Sequence, residues 1–227
     1  MATTLQTLEP GLPAFTPVEP WLFDHPDAIR EVHHRFVTAG AHTVLTATFL
    51  AATRPDWRSC VDRAVDLARS AEPSAVWLAL GPVDTEASAD TVVAYAQSRG
   101  VDGVVLETVV DGRLGLERLA ACRAVWDGPL VLSMVPAEGG RTHQGEPLAE
   151  VAARTMELGA SGFGINCVSG ALAEDAVAAV PEGIPLWIKP SATDAAIRRL
   201  HARATWIGGC CGTTPADLSR WRAAFSS

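Results

Sequence analysis

The sequence SAVWLAL at residues 74–80 is a short apolar run of the kind that forms a strand buried on both faces of a parallel sheet. Gly81 and Pro82 follow it and mark its end. A run with helical spacing of its apolar residues comes next, near residues 89–99, and a second strand-like run occupies residues 101–106. This order of strand, helix and strand predicts two parallel strands joined by a helix.

The same unit recurs on both sides of this segment. Strands are predicted at residues 42–49, 74–80, 101–106, 129–135, 162–167, 184–190 and 204–207, and each precedes a helix. A first strand at residues 3–8 would complete a set of eight, but prolines break up the sequence between residues 10 and 20 and leave this N-terminal segment poorly defined. The repetition predicts an α/β protein with a compact (β/α)₈ TIM barrel, and an open doubly wound sheet is the alternative. No linker composition divides the chain, so we expect residues 1–227 to form one domain.

The charge of the chain argues against a nucleic-acid partner. The net charge is −8, and the 18 Lys and Arg residues are scattered instead of forming a basic stripe. The N-terminal region has no basic segment followed by an apolar run, and no stretch reaches the roughly 18 apolar residues of a membrane-spanning helix. We therefore expect a cytoplasmic protein that binds neither nucleic acid nor membrane.

The cysteines divide into two groups. There are 5 of them, an odd number without a secretion signal, which predicts reduced thiols and not a disulfide framework. Cys60 and Cys122 lie on the apolar stripes of predicted helices, where cysteine acts as a small core residue. Cys167, Cys210 and Cys211 instead end predicted strands, and we expect these three to form a site.

The sequence GGCCGTTP at residues 208–215 places two adjacent cysteines between glycines at the end of a predicted strand. Thr214, Pro215 and Asp217 have the pattern of a helix N-cap, a first helical residue and a capping-box partner, so a helix is predicted to begin at once. In a barrel of this kind, function collects at the carboxyl ends of the strands. The polar and sulfur-bearing residues that fall there are Thr48, Glu107, Ser133, Asn166, Cys167, Lys189, Cys210 and Cys211.

Three sulfurs on one rim predict a metal site. Cys167 ends the sixth predicted strand and Cys210 the eighth, so their side chains can converge with that of Cys211. Three thiolates suit Zn²⁺ and leave one coordination position open. A thiol bound there would lose its proton at neutral pH and become a nucleophile, which favours alkyl transfer to sulfur. An alternative reading takes residues 208–214 as a phosphate cradle before a helix, but it leaves Cys167 unexplained.

These residues also carry a resemblance to a known family. The sequence GGCCGTTP at residues 208–215 resembles the signature of the homocysteine S-methyltransferase family, and GINC at residues 164–167 is similar to that family's strand motif. Weaker similarity extends over roughly residues 20–222. It includes LET at residues 106–108 and the GGR loop at residues 139–141.

The resemblance implies both fold and chemistry. It implies a (β/α)₈ barrel that holds zinc on Cys167, Cys210 and Cys211, with the acceptor thiol as the fourth ligand. It also implies that Glu107 is the catalytic carboxylate that helps hold the α-ammonium group of the substrate. With Glu107 we predict Thr48, Ser133 and Asn166 as substrate-binding residues at the strand ends.

The sequence departs from the family pattern in two places. Residues 1–20 contain no D-G-G or D-G-A motif, and Lys189-Pro190-Ser191-Ala192-Thr193 replaces the common P-N-A-G turn. We predict a zinc-dependent S-methyltransferase that acts on homocysteine or a related small thiol. Without a cobalamin or folate module, the expected methyl donor is S-methylmethionine, a betaine or a methyl-corrinoid protein. A non-catalytic accessory protein that binds zinc and a thiol is the alternative.

Overall fold

The computed structural model describes residues 4–5 and 17–225. Within these residues seven parallel strands form one sheet in chain order, β1 to β7. The strands are β1 (Thr43–Leu45), β2 (Ala75–Leu80), β3 (Gly103–Val109), β4 (Leu130–Met134), β5 (Gly162–Ser169), β6 (Leu186–Ser191) and β7 (Trp206–Ile207). Each neighbouring pair is parallel, as the repeated unit of strand and helix predicts.

The helices alternate with these strands. They are α1 (Trp21–Asp24), α2 (Pro26–Thr38), α3 (Trp57–Arg69), α4 (Ala89–Ser98), α5 (Gly112–Arg123), α6 (Leu148–Glu157), α7 (Gly170–Ala179), α8 (Asp194–His201) and α9 (Pro215–Phe225), with a 3-10 turn at Ala51–Thr53. The short helix α1 was not predicted from the sequence. No helix in the described ranges is long and apolar enough to span a membrane.

The described residues do not form a closed barrel of eight strands. Of the first strand predicted at residues 3–8, the structure describes only Thr4 and Leu5, and both are helical. The prediction is wrong at those two residues, and the rest of that segment lies outside the described residues. The observed sheet is a curled half-barrel. Its curl brings the rings of Trp77 on β2 and Trp206 on β7 to a centroid distance of 5.9 Å.

Strand β1 is shorter than predicted because threonine hydroxyls replace part of its backbone ladder. The Ala79 N–H donates to Oγ1 of Thr46 at 3.2 Å, and Oγ1 of Thr48 donates to the Ala79 carbonyl at 2.8 Å. A side chain that takes the partners of the backbone competes with strand pairing. Residues 46–49 therefore stay bound to β2 without forming a strand of their own.

The two faces of the sheet have different roles. The outer face packs under the helices through residues such as Leu78, Leu106 and Phe163. On the inner face, Trp77 and Trp187 stack at 4.9 Å and form an apolar floor with residues of β3 and β4. Side chains two positions further along a strand share its face. Above this floor lies a polar layer that consists of Glu107, Ser133, Asn166 and Lys189, and this layer carries the site.

Helix α2 buries a histidine, and this has a consequence at acid pH. His33 is 3% exposed, and its Nε2 has no hydrogen-bond partner among the described residues. Burial lowers the pKa of His33 from 6.5 to about 4. At a pH between these two pKa values, His33 binds a proton in the unfolded chain but not in the folded chain. The free energy of unfolding therefore falls as the pH falls through this range.

We expect wild type to lose about 2 to 3 kcal/mol more stability than His33→Leu between pH 7 and pH 4.5. The comparison is made by urea unfolding of both proteins at each pH, followed by circular dichroism. Equal losses in the two proteins would show that His33 does not enter the fold as a neutral group.

Candidate metal centre

The three cysteines that end predicted strands meet at one point of the inner face. The Sγ atoms of Cys167, Cys210 and Cys211 all lie within 4.8 Å of one another. Among the described residues this is the one group of three histidine, cysteine or acidic side chains placed to hold a metal ion. Cys167 and Cys210 are partly buried and Cys211 is exposed, so one side of the group opens to solvent.

The backbone of β5 bends to present Cys167. Its φ is 59°, a left-handed value that is uncommon for a residue with a side chain. The pairing of β5 with β6 shifts register between Asn166 and Ser169, so the bend is a bulge in the strand. Thr108 of β3 has a φ of 64° at a similar register shift. Strained residues of this kind are maintained by their surroundings and cluster at functional sites.

Asn166 supplies much of that support. It is fully buried, and its Nδ2 donates to Sγ of Cys167 at 3.1 Å and to Oγ1 of Thr108 at 2.9 Å. Its Oδ1 accepts from Oγ of Ser133 at 2.7 Å and from the Thr108 N–H at 3.3 Å. Both donors and both acceptor positions of the amide are thus in use. The structure places Asn166 where it positions Cys167 and Ser133 where it bonds to Asn166, and the substrate contacts predicted for them stay predictions.

Glu107 lies in the same layer and forms an ion pair. Nζ of Lys189 donates to Oε2 of Glu107 at 2.9 Å, and the two side chains are 14% and 12% exposed. Burial opposes the charge of Lys189. The Glu107 carboxylate and the sulfurs of Cys210 and Cys167 outweigh burial, so the pKa of Lys189 lies above its usual value. The pair crosses the inner face from β3 to β6.

The cysteines are also coupled to each other. A hydrogen bond from Cys167 lowers the pKa of Cys210 to about 6, against burial and with the help of the charge on Lys189. The same hydrogen bond, together with burial, raises the pKa of Cys167. Metal-binding sites require deprotonated thiols, so a lysine beside these sulfurs favours the thiolate form.

Thr48 lies apart from this network. It is fully buried, and its hydroxyl contacts Oγ1 of Thr46 at 2.6 Å besides donating to the Ala79 carbonyl. The structure therefore brings Glu107, Ser133 and Asn166 around the cysteines, whereas Thr48 bonds the segment at residues 46–49 to β2. Cys60 and Cys122 are buried in helices α3 and α5, away from the three sulfurs.

The loop with the paired cysteines is fixed at both ends. The Cys210 N–H donates to the Pro190 carbonyl at 3.1 Å, which ties the loop to β6. A Cβ at Gly209 would collide with the side chain of Thr213, so only glycine fits there. At the far end, the Thr214 N–H donates to Oδ2 of Asp217 at 2.7 Å and the Asp217 N–H donates to Oγ1 of Thr214 at 3.2 Å. This is the predicted capping box, in which the Asp217 carboxylate already accepts from the Thr214 N–H.

Loss of this cap has a measurable cost. We expect Thr214→Ala to lower the free energy of unfolding by about 1 kcal/mol, because the Asp217 N–H loses its acceptor and the Asp217 carboxylate loses the hydroxyl that donates to it. Ser219→Ala, in the same helix, is the control, since its hydroxyl reaches the Ala39 carbonyl only at 3.5 Å. Urea unfolding of the two variants measures the difference, and equal values would contradict the capping role.

Two residues of the site received no role from the sequence. Oγ1 of Thr108 accepts a hydrogen bond from Asn166 and lies 3.9 Å from Sγ of Cys167. Lys189 was noted only as a strand-end residue. The available signal for it was a lone charged residue that closes the apolar run Leu186-Trp187-Ile188. Its partner Glu107 could not be inferred from the sequence, because the two are 82 positions apart.

The fold and the site together define a class of protein. A curled parallel α/β sheet with three cysteines at its carboxyl rim defines a TIM-barrel-like protein with a candidate metal site at that rim. The chain belongs to the homocysteine S-methyltransferase family, whose model matches residues 1–225. It is therefore an S-methyltransferase, and the family resemblance seen in the sequence is confirmed.

Solved structures support the fold. The chain is similar to the metallated form of the homocysteine methyltransferase MmuM from Escherichia coli, with a TM-score of 0.82, 22% identity, and coverage of 98% of this chain and 93% of that one. The oxidised form of the same enzyme gives a TM-score of 0.83 at 23% identity, with coverage of 99% and 93%. A 3-hexulose-6-phosphate synthase is a more distant likeness, with a TM-score of 0.57 at 16% identity and coverage of 88% and 94%. No curated protein sequence matches the chain significantly.

Proposed function

We propose that this protein is a zinc-dependent S-methyltransferase that methylates homocysteine or a closely related small thiol. The observation that carries the proposal is the convergence of the sulfurs of Cys167, Cys210 and Cys211 within 4.8 Å. Membership of the homocysteine S-methyltransferase family supports the reaction class. The metallated form of the E. coli enzyme MmuM, which has the same fold, is consistent with a metal at this rim.

The three sulfurs fit a zinc ion. Zinc binds cysteine sulfur at about 2.3 Å in tetrahedral geometry, which places two ligand sulfurs about 3.8 Å apart. Sulfurs already within 4.8 Å need only small side-chain movements to reach that spacing. Bound zinc would supply the positive charge that deprotonates an acceptor thiol at neutral pH. The exposed side of Cys211 leaves an approach for that thiol.

The protein's own residues prepare this site. Asn166 and Thr108 hold Cys167 in its strained conformation, and the capped helix α9 holds the loop of Cys210 and Cys211. Lys189 offsets the negative charge that gathers on the sulfurs. In the transfer, the acceptor sulfur forms a bond to the methyl carbon while the bond from that carbon to the donor breaks. The electron pair of the broken bond returns to the donor, which suits a sulfonium such as S-methylmethionine, a betaine or a methyl-corrinoid protein.

The test is a donor screen on zinc-loaded protein with homocysteine as acceptor. The homocysteine carries deuterium on its side-chain carbons, so mass spectrometry separates labelled methionine newly formed from the acceptor from the unlabelled methionine that S-methylmethionine leaves behind. We expect labelled methionine with at least one donor from wild type and from Cys122→Ala, a control that alters a cysteine outside the site. Wild type that holds zinc but methylates homocysteine with none of these donors would overturn the proposal.

A further inference from the structure

The ion pair beneath the cysteines bears on which thiol the site accepts. Glu107 and Lys189 lie on opposite parts of the curled sheet, on β3 and β6, and meet at 2.9 Å across its inner face. Most of each side chain is removed from solvent. An ion pair in such a position costs desolvation energy and seldom adds much stability over apolar packing. A role in binding accounts for its presence in a layer of the sheet that faces the sulfurs.

Lys189 is placed between the two segments that carry the cysteines. It pairs in register with Asn166 on β5, whose neighbour is Cys167. On the other side its Cγ lies 3.6 Å from where a Cβ on Gly208 would stand, and the Pro190 carbonyl accepts from the Cys210 N–H. Apart from its chain neighbours, a Cβ at Gly208 would meet no other atom of the described residues within 4 Å. The space beside the lysine, close to the sulfurs, is therefore open to a ligand.

Both members of the pair keep unused hydrogen-bonding groups. The ammonium of Lys189 has three N–H donors, and among the described residues it donates one hydrogen bond, to Oε2 of Glu107. From the residues that the structure describes, Oε1 of Glu107 accepts no hydrogen bond, either from a side chain or from the backbone. Oε1 of Glu107 is not among the fully buried polar atoms that lack a partner, so it keeps some exposure through which a bound molecule can reach the pair.

The pair is neutral as a whole but has one positive and one negative end. The two charged ends are 2.9 Å apart, so a ligand that contacts one end also lies within the ~4–6 Å over which the charge of the other acts strongly. A ligand with a single charge is therefore attracted by one end and repelled by the other. A ligand that carries both charges on neighbouring atoms satisfies both ends at once. An α-amino acid is such a zwitterion, with its ammonium and carboxylate on one carbon.

The composition of the chain singles out Lys189 in a second way. It is the only lysine in the sequence, and the other 17 of the 18 basic residues are arginines. Lysine presents a compact ammonium with three donors, whereas arginine presents a broad planar fork. Every other basic residue of the chain is arginine. Lysine stands at the position where one cation must pair with Glu107 and still leave room for a second anion.

We propose that Lys189 binds the carboxylate of the acceptor, so that the Glu107–Lys189 ion pair selects a zwitterionic amino-acid thiol over thiols with a single charge. The inference rests on the function proposed above and adds to it a residue that determines specificity. Lys189 donates to the α-carboxylate through its remaining N–H groups, and the free oxygen of Glu107 accepts from the α-ammonium.

The first test compares three thiols that differ only in charge. They are homocysteine, 4-mercaptobutanoate, which lacks the ammonium, and 3-mercaptopropylamine, which lacks the carboxylate. Their dissociation constants from zinc-loaded protein are measured by calorimetry, without a methyl donor. We expect wild type to bind homocysteine at least about 10-fold more tightly than either of the others, as loss of a charge-assisted hydrogen bond predicts.

Substitutions should then reverse the preference. In Lys189→Met the carboxylate of Glu107 stands alone, and 3-mercaptopropylamine becomes the tightest ligand. In Glu107→Gln the lysine stands alone, and 4-mercaptobutanoate becomes the tightest. The double variant Glu107→Gln with Lys189→Met buries no charge at this position, so it guards against misfolding of the single variants, and it should bind all three thiols within about threefold. A structural role alone would change stability but not this order.

The single lysine also allows a direct observation. Protein grown with ¹³C-labelled lysine gives one side-chain Cε signal in an NMR spectrum, that of Lys189. We expect homocysteine and 4-mercaptobutanoate to shift this signal and 3-mercaptopropylamine to leave it in place. An unmoved signal with all three ligands, or an unchanged order of affinities in Lys189→Met, would overturn the inference while the proposed methyl transfer stood. Failure of wild type to bind any of the thiols would instead refute the proposed function, and the inference with it.

Discussion

Cys210→Ser will lose its zinc and its methyltransferase activity together. The variant keeps only two of the three sulfurs that lie within 4.8 Å, and a serine hydroxyl is not deprotonated at neutral pH as a zinc ligand must be. The loss of zinc affinity should exceed the about 10- to 100-fold that removal of an outer hydrogen-bond partner costs. Because the proposed activation of the acceptor thiol takes place at this zinc, methyl transfer should fall to background.

The measurement is zinc content per chain on protein purified under reducing conditions without added metal. We expect close to one zinc per chain in wild type and a trace in Cys210→Ser. Cys122→Ala provides the matched control, since Cys122 is fully buried in α5 and takes no part in the site. Wild-type zinc content in Cys210→Ser, or equal loss in Cys122→Ala, would contradict the assignment of the ligands.

Asn166→Leu will weaken zinc binding without removing a ligand. The substitution takes away the N–H that reaches Sγ of Cys167 at 3.1 Å and the partners of Ser133 and Thr108. Cys167 then has less to hold it at its left-handed φ of 59°. We expect a zinc affinity about 10- to 100-fold lower, as for other residues that orient metal ligands. Stability should fall by about 2 to 4 kcal/mol, because buried polar groups lose their partners.

Competition with a chromophoric chelator measures the affinity, and urea unfolding of the metal-free protein measures the stability. Ser133→Ala separates the two effects. It removes one hydrogen bond to Asn166 but none to Cys167, so it should cost about 1 kcal/mol of stability and leave zinc affinity within a few-fold. The positioning role of Asn166 fails if Asn166→Leu binds zinc as tightly as wild type.

The sequence predicted those parts of the structure that depend on local pattern. Short apolar runs bounded by glycine and proline gave the parallel strands, and the capping box of Thr214 and Asp217 was predicted correctly. The site was located because the carboxyl ends of parallel strands share one edge of the sheet. Adjacent cysteines at such an edge indicate a metal or thiol site, because few other roles account for them.

The rest depends on contacts between distant segments, which local pattern does not encode. The pairing of Glu107 with Lys189 needs the curl that brings β3 and β6 face to face. The roles of Asn166 and Thr108 follow from bulges in β5 and β3, and a bulge moves a side chain without a signal in the pattern of apolar residues. The end of β1 was misplaced for a related reason, because threonine side chains took over backbone partners on β2.

Zinc K-edge X-ray absorption tests the central claim most directly, since it counts the sulfurs around the metal. Spectra are recorded on zinc-loaded wild type before and after addition of homocysteine, with no methyl donor present. We predict three sulfurs at about 2.3 Å and one lighter atom at first, and four sulfurs after homocysteine is added. Fewer than three sulfurs before addition, or an unchanged count afterwards, would contradict a site in which Cys167, Cys210 and Cys211 hold zinc to receive the acceptor thiol.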